Sequence, residues 1–345
     1  MRAAILETLT DIRENNHPLK MAELPKPACK AGEILVKISA CGICHTELDE
    51  IEGRIPPAKL PFILGHQIIG TVVERGEKTK KFAPGARVGI GWINQTCGHC
   101  EYCLSGKENL CNDFRATGRD VPGGYAEYTT VAEDFAFAIP DIFTDAQAAP
   151  LLCAGAIGYH SLRLTNLTNG ASLGLTGFGA CAHLVLKMVR HCYPRTEVFV
   201  FARSERERNF ARTSGAAWTG DTAEEPPRKL QAIIDTTPVW KPVVEALKNL
   251  APAGRLVINA IRKEETDKDY LLRINYPQHF WQEKEIVSVA NVTRQDIEEF
   301  LMLAAQIPLL PEIEEYPLEK VNQALTELKE GKIRGAKVLK INDTR

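Results

Sequence analysis

Before Ala154, apolar and polar positions alternate in short runs that Gly and Pro repeatedly interrupt: Glu33–Ser39, Gly70–Glu74, Arg87–Ile90 and Ala126–Val131. A period of two over such lengths marks half-buried strands, so this part of the chain predicts an irregular antiparallel β domain. From Ala154 onward the period changes. Ser172–Thr176, Val198–Phe201, Ala232–Asp235 and Leu256–Ala260 are short apolar runs of the buried-strand type. Stretches with helical spacing separate them: Ala182–His191, Glu205–Thr213 and Pro242–Leu250. Strands alternating with helices build a parallel, doubly wound α/β sheet. A further strand is expected at Ile286–Ala290, followed by amphipathic helices over Gln295–Ala305 and Leu318–Glu330 and a last strand at Ala336–Ile341. The polar runs Ser204–Arg208 and Lys263–Asp269 read as solvated loops or helix starts.

Length agrees with this division, since 345 residues are many for one hydrophobic core. A net charge of −2 gives no electrostatic reason to expect a nucleic acid or an anionic membrane as partner. The most apolar stretch, Ser172–Val189, carries His183, Lys187 and several glycines, which argues against a membrane span. Ten cysteines would suit a small secreted disulfide framework. This chain is large, and its start, Met1–Glu7, lacks the apolar core of a signal peptide. Reduced thiols in the cytoplasm are the expectation.

Four of those cysteines have a spacing that packing does not explain. Cys97, Cys100, Cys103 and Cys111 follow one another at intervals of three, three and eight positions on a Gly- and Asn-rich segment. Spacers this short let sulfurs converge on a tetrahedral ion with Zn–S bonds near ~2.3 Å. Four thiolates complete such an ion, so this cluster predicts a structural metal. Three more metal-type residues, Cys44, His66 and Cys153, lie on either side of it. Taken singly, each has an ordinary explanation as a buried thiol or a hydrogen-bonded imidazole.

The strand Ser172–Thr176 runs into Gly177-Phe178-Gly179-Ala180-Cys181-Ala182 and then a helix, a G-x-G-x-x-A pattern. The first glycine permits the tight turn, the second lets backbone approach a pyrophosphate, and the small third residue lets helix pack on strand. Free amides at the helix start then face the phosphate charge. After the second strand come Ala202, Arg203 and Ser204, where an NAD-selective site usually carries a carboxylate for the ribose hydroxyl. Glu197 precedes that strand and so belongs at the opposite edge of the sheet. Arg203 and Ser204 are suited to a 2′-phosphate, so NADP is expected over NAD.

Taken together, the four-cysteine loop, Gly65-His66, Leu151-Leu152-Cys153-Ala154-Gly155, the phosphate loop and Gly123-Gly124-Tyr125-Ala126-Glu127-Tyr128 resemble the zinc-dependent medium-chain alcohol dehydrogenase family. The resemblance runs from Arg2 to the C-terminus. It implies a GroES-like β domain from residues 1–153 and 289–345 and a Rossmann domain from 154–288. It also implies two zinc ions per chain. Cys44, His66 and Cys153 hold the catalytic one with a fourth position open, a ligand set cited for alcohol dehydrogenase among the standard zinc sites. The implied reaction moves a hydride between a primary or secondary alcohol and NAD(P)+, giving an aldehyde or ketone, with the substrate in the cleft between domains. By the same resemblance Thr46 hydrogen-bonds the alcohol, Glu47 orients His66, His45 lies near the cofactor pyrophosphate, and Trp92 narrows the substrate pocket. A homodimer or homotetramer is implied as well.

This chain departs from the family pattern at three places. Gln67 follows the zinc-type histidine where a Glu is frequent, leaving a neutral neighbour of the metal site. Asp49 stands where many relatives end the proton relay in a His; either Asp49 accepts the proton here or the relay ends in water. Near the last strand, where many relatives place a phosphate-binding Arg, the nearby cations are Arg334 and Lys337. Two rival readings are a zinc-free enone or quinone reductase of the same fold and a non-catalytic NADP(H)-sensing protein. Neither has a use for Cys44, Thr46, His66 and Cys153 together. Cys29, Cys41, Cys181 and Cys192 have no assigned role and are expected to be buried apolar thiols.

Overall fold

The computed structural model describes residues 1–332 and 335–342 and contains two compact units, Met1–Cys153 with Thr293–Arg345, and Ala154–Val292. In chain order the first segment holds strands β1 (Arg2–Leu6), β2 (Leu19–Glu23) and β3 (Glu33–Ile43), then helix α1 (His45–Ile51). Strands β4 (Phe62–Ile63), β5 (Gln67–Arg75), β6 (Arg87–Ile90) and β7 (Ile93–Gln95) follow, with a short helix α2 (Glu101–Leu104). Strands β8 (Arg115–Ala116), β9 (Tyr128–Ala132) and β10 (Ala136–Ala138) and helix α3 (Asp145–Ala148) complete it. β3 continues four residues past its alternating part, because Ala40, Cys41, Gly42 and Ile43 are all buried and no polar face marks the extension.

The second unit contains α4 (Ala154–Leu164), β11 (Ser172–Thr176), α5 (Ala180–Cys192), β12 (Glu197–Phe201), α6 (Glu205–Ser214) and β13 (Trp218–Gly220). It goes on with β14 (Leu230–Asp235), α7 (Lys241–Asn249), β15 (Leu250–Ile258), α8 (Tyr276–His279) and β16 (Glu285–Ser288). The six strands are parallel in the order β13-β12-β11-β14-β15-β16, which is the dinucleotide-binding order with its switch point between β11 and β14. Val243, Ala246 and Leu247 of α7 pack on Phe199, Phe201, Ile233 and Leu256 of the sheet. The polar run Ser204–Arg208 is a helix start: Ser204 caps α6 by accepting from the Glu207 amide, and Gly215 ends it in the left-handed conformation.

The chain then returns to the first unit as α9 (Arg294–Gln306), β17 (Ile313–Pro317), α10 (Val321–Lys329) and β18 (Ala336–Lys340). β18 pairs antiparallel with β3, Lys337 facing Ile43, and parallel with β17. The large sheet therefore runs β10-β6-β5-β3-β18-β17, with β9 also on β3, and the expectation of a purely antiparallel domain is corrected at this edge. The helix expected over Leu318–Glu330 opens as a 3₁₀ turn, Leu318–Lys320, before α10 begins at Val321.

Candidate active site

β3 delivers Cys44 to the start of α1. The Cys44 amide donates to Glu47 Oε2 at 2.7 Å, a capping arrangement that ties the first turn of the helix to the cysteine. The other oxygen of Glu47 meets His66 Nδ1 at 2.5 Å, and both side chains are buried. Gly65 lets the histidine turn inward. Its φ is +96°, and a Cβ there would stand 2.6 Å from the Tyr125 ring and 3.0 Å from Cys41 Sγ, so only glycine fits. Cys153 ends the first segment after a 3₁₀ turn, Ala149–Leu152.

These segments bring Cys44, His66 and Cys153 together. Cys44 Sγ lies 3.9 Å from Cys153 Sγ, His66 Nε2 lies 3.3 Å from Cys153 Sγ, and all donor atoms fall within 4.8 Å of one another. Two ligands on a tetrahedral zinc stand about 3.8 Å apart, so the spacing fits three ligands of that ion. The Thr46 hydroxyl is 3.7 Å from Cys44 Sγ. A hydrogen bond from Cys153 and then the His66 imidazole hold the Cys44 thiol well below its ordinary pKa, against its burial. Burial opposes charge on His66, but the Glu47 carboxylate and Cys44 outweigh it and raise the imidazole. A metal bound here would have to displace the protons on these groups, so its binding would be coupled to pH.

The four-cysteine loop makes a second cluster. Cys100 is the N-cap of α2, a 3₁₀ turn at Glu108–Leu110 presents Cys111, and the four sulfurs lie within 4.8 Å of one another. Backbone amides of His99 and Cys100 lower the Cys97 thiol to about 6, favouring the thiolate that metals require. Glu108 anchors the loop: its carboxylate accepts from the Arg294 amide at 2.8 Å and from Nη2 at 2.7 Å, and that guanidinium covers the Phe135 ring.

In the second unit Gly177, with φ of +76°, turns the chain from β11 into the phosphate loop, and its amide donates to Phe201 O at 2.8 Å. Phe178 is buried against Phe210, whereas Gly179 and Ala180 are exposed at the start of α5. Ala202 is buried after β12, and Arg203 and Ser204 are exposed. Glu197 sits at the opposite end of that strand and pairs with Arg228.

The other site residues fall as follows. His45 is exposed at the first position of α1. Gln67 is buried at the start of β5, its side chain against Gly42. Asp49 is buried and accepts from Arg54 Nε at 2.5 Å. Trp92 is 9% exposed, packs on Phe114 and lies under the Arg119 guanidinium; its indole Nε1 has no partner among the described residues. Lys337 is 1% exposed and donates to Glu314, Tyr316 and Glu327, so it is not a free phosphate ligand. Arg334 lies outside the described residues. All ten cysteines are free, but Cys192 is exposed and Cys29 and Cys181 only partly buried, which corrects the expectation for three of the four unassigned thiols. Cys41 is buried behind Gly65.

Sequence reasoning missed Glu50. It lies one turn beyond Glu47 on α1, fully buried, with neither oxygen partnered among the described residues. Burial first, and then the charge of Glu47, raise its pKa well above the ordinary carboxylate value. The stripe Cys44, Glu47, Glu50, with its interval of three, was the signal available for it.

The alcohol dehydrogenase GroES-like domain family matches residues 30–141. The chain is 42% identical over 323 residues to a protein described as "Probable alcohol dehydrogenase AdhA" of Mycobacterium tuberculosis, covering 92% of this chain and 91% of that one. It is 32% identical to an alcohol dehydrogenase of Geobacillus stearothermophilus, covering 99% and 100%. Among solved structures, a CAD from Helicobacter pylori complexed with NADP(H) superposes with a TM-score of 0.85 at 23% identity, covering 98% and 97%, which is a likeness of fold.

Proposed function

The chain belongs to the medium-chain alcohol dehydrogenase family, and from that premise we propose that it is a zinc-dependent, NADP(H)-preferring enzyme interconverting primary or secondary alcohols with aldehydes or ketones. As a family member it is an NAD(P)-dependent alcohol dehydrogenase with a small-molecule substrate. The observation that carries the zinc reading is the Cys44, His66 and Cys153 triad, whose spacing suits a tetrahedral ion. When bound there, zinc supplies Lewis acidity, lowering the pKa of a hydroxyl and polarising a carbonyl. When bound in the second unit, the nicotinamide accepts or returns the hydride.

The chain's own residues have defined parts in this reading. Cys44 and Cys153 bring two sulfurs and His66 a neutral nitrogen, so the donor set balances a divalent charge. Glu47 fixes the imidazole through Nδ1 and leaves Nε2 toward the metal. The Thr46 hydroxyl accepts the proton of the alcohol and passes it outward. Asp49 is the candidate acceptor beyond it, held by Arg54. Trp92 forms a wall of the pocket. Gly177, Phe178, Gly179 and Ala180 cradle the pyrophosphate. Arg203, exposed after β12, and Ser204 at the start of α6 receive the 2′-phosphate, with Ala202 leaving room. Cys97, Cys100, Cys103 and Cys111 hold a second, structural zinc.

No described helix is long and apolar enough to cross a membrane. Free thiols throughout support a cytoplasmic enzyme. For the assembly, β16 is an edge strand with Ile286, Trp281 and Tyr276 exposed beside it, which supports pairing with β16 of a second copy in a homodimer or a tetramer of such dimers.

The test is direct. Metal analysis should return two zincs per chain, and alcohol oxidation should run with a higher kcat/KM for NADP+ than for NAD+. Cys44→Ala should lose turnover by at least about a thousandfold while keeping its circular dichroism. Near-normal activity of that variant overturns the zinc mechanism and revives the zinc-free reductase.

A further inference from the structure

Asp235 ends β14 at the carboxyl edge of the parallel sheet, and it is fully buried. Its Oδ1 accepts from Thr176 Oγ1 at 2.5 Å and from the Thr237 hydroxyl at 2.8 Å. Its Oδ2 pairs with Lys263 Nζ. The sequence pattern made Lys263 the start of a solvated run; instead its side chain is 8% exposed, and it also donates to Thr237 O at 2.6 Å and Val239 O at 3.3 Å. An ammonium has three donors, so all three are used inside the protein.

The partners belong to three separate segments. Thr176 is the last residue of β11 and precedes Gly177 of the phosphate loop. Thr236, Thr237 and Val239 follow β14. Lys263 comes five residues after β15 ends at Ile258, and on the way the Asn259 amide donates to Asp235 O at 2.8 Å. The Thr236 hydroxyl donates to Thr176 O at 2.9 Å, and a Cβ on Gly177 would stand 3.0 Å from that hydroxyl and 3.1 Å from Thr237 Cγ2. The first turn of the phosphate loop thus rests on a threonine ledge that Asp235 and Lys263 hold in place. β11 and β14 flank the switch point, outside whose carboxyl ends a dinucleotide binds.

A buried ion pair is a poor way to gain stability, since apolar residues of equal volume usually serve as well or better. What it supplies is fixed geometry. We propose that Lys263 is a positioning residue for the nicotinamide cofactor: through Asp235 it locks the 236–239 and 259–263 segments against the phosphate loop, so the cofactor meets a preformed crevice. This rests on the reading of the second unit as the NAD(P)(H) site.

The experiment titrates NADPH and NADH fluorescence against the parent protein, Lys263→Met, Lys263→Arg, and the double variant Asp235→Asn with Lys263→Met. Loss of the pin should raise the Kd of both cofactors about tenfold, within the usual range of coupling between neighbouring sites. KM for cofactor should rise with it, while kcat at saturating cofactor stays within about twofold. Lys263→Arg, which keeps the cation, should restore most of the affinity. The double variant strands no buried charge, so it should fold even if Lys263→Met does not, and it should keep the raised Kd. A lowered Tm with parental Kd in Lys263→Met, or parental Kd in the double variant, overturns the proposal. If the parent itself binds neither cofactor, the reading of the second unit falls and this inference with it.

Discussion

A single carboxylate, Glu47, touches two of the three residues of the Cys44, His66 and Cys153 cluster, one oxygen on the Cys44 amide and the other on His66 Nδ1. Replacing it with Gln keeps the shape and the first contact but removes the charge that orients the imidazole. Glu47→Gln should weaken metal binding or turnover 10–100-fold, the usual cost of such a supporting contact, measured by competition with a chromophoric chelator. An unchanged metal affinity and rate would refute that role. At this scale the sequence was most legible where chemistry restricts residue type. The cysteine spacing and the glycine pattern stood out without knowledge of the fold. Cys44, His66 and Cys153 were legible only by resemblance, since 109 positions separate the two cysteines. Glu50 and Lys263 were opaque because a charged letter reads as surface until burial is known.

Two elements carry predictions of their own. The 97–111 loop has little apolar packing: Cys111 is buried, but α2 buries no residue at all. Its fold should therefore depend on metal, and Cys103→Ser should lower Tm and zinc content by one ion while leaving kcat of the folded fraction near parental. Equal Tm would show that the loop holds itself. The second is the β17-β18-α10 corner. Burial works against charge on Lys337, yet Glu314, Glu327 and Tyr316 outweigh it and raise its pKa, while Lys337 first and then Tyr316 lower Glu327 to about 2. A carboxylate depressed when folded stabilises above its unfolded pKa and loses that contribution as pH falls through the folded value. Lys337→Met should thus cost about 2 kcal/mol near neutral pH, less than a fully buried pair because water reaches both glutamates. The penalty should shrink between roughly pH 4.5 and pH 2 in urea melts taken across pH. A penalty constant over that window would place the effect in packing. Elements with a clean period were legible to within a few residues, as α5 and α9 show. β2 and β17 were not, because short edge strands lack a clear alternation; β2 has a single buried position.

The whole molecule alternates between one unit and the other along the chain, and each unit exposes a different consequence. In the second, the open edge at β16 supports self-association, and light scattering should give a mass of at least twice 38.2 kDa. Ile286→Lys, on that edge, should reduce it to a monomer; a monomeric parent would remove the proposal. In the first, the strand that leads into Cys44 is paired on one side by β18, and the facing residues Ile43 and Lys337 lie roughly 300 positions apart. During synthesis, β3 emerges long before β18, so residues Ala40–Ile43 wait through most of translation for the partner that closes this part of the sheet. Completion of the large sheet around the segment that leads into Cys44 is therefore a late event in the life of each chain, set by the arrival of β18.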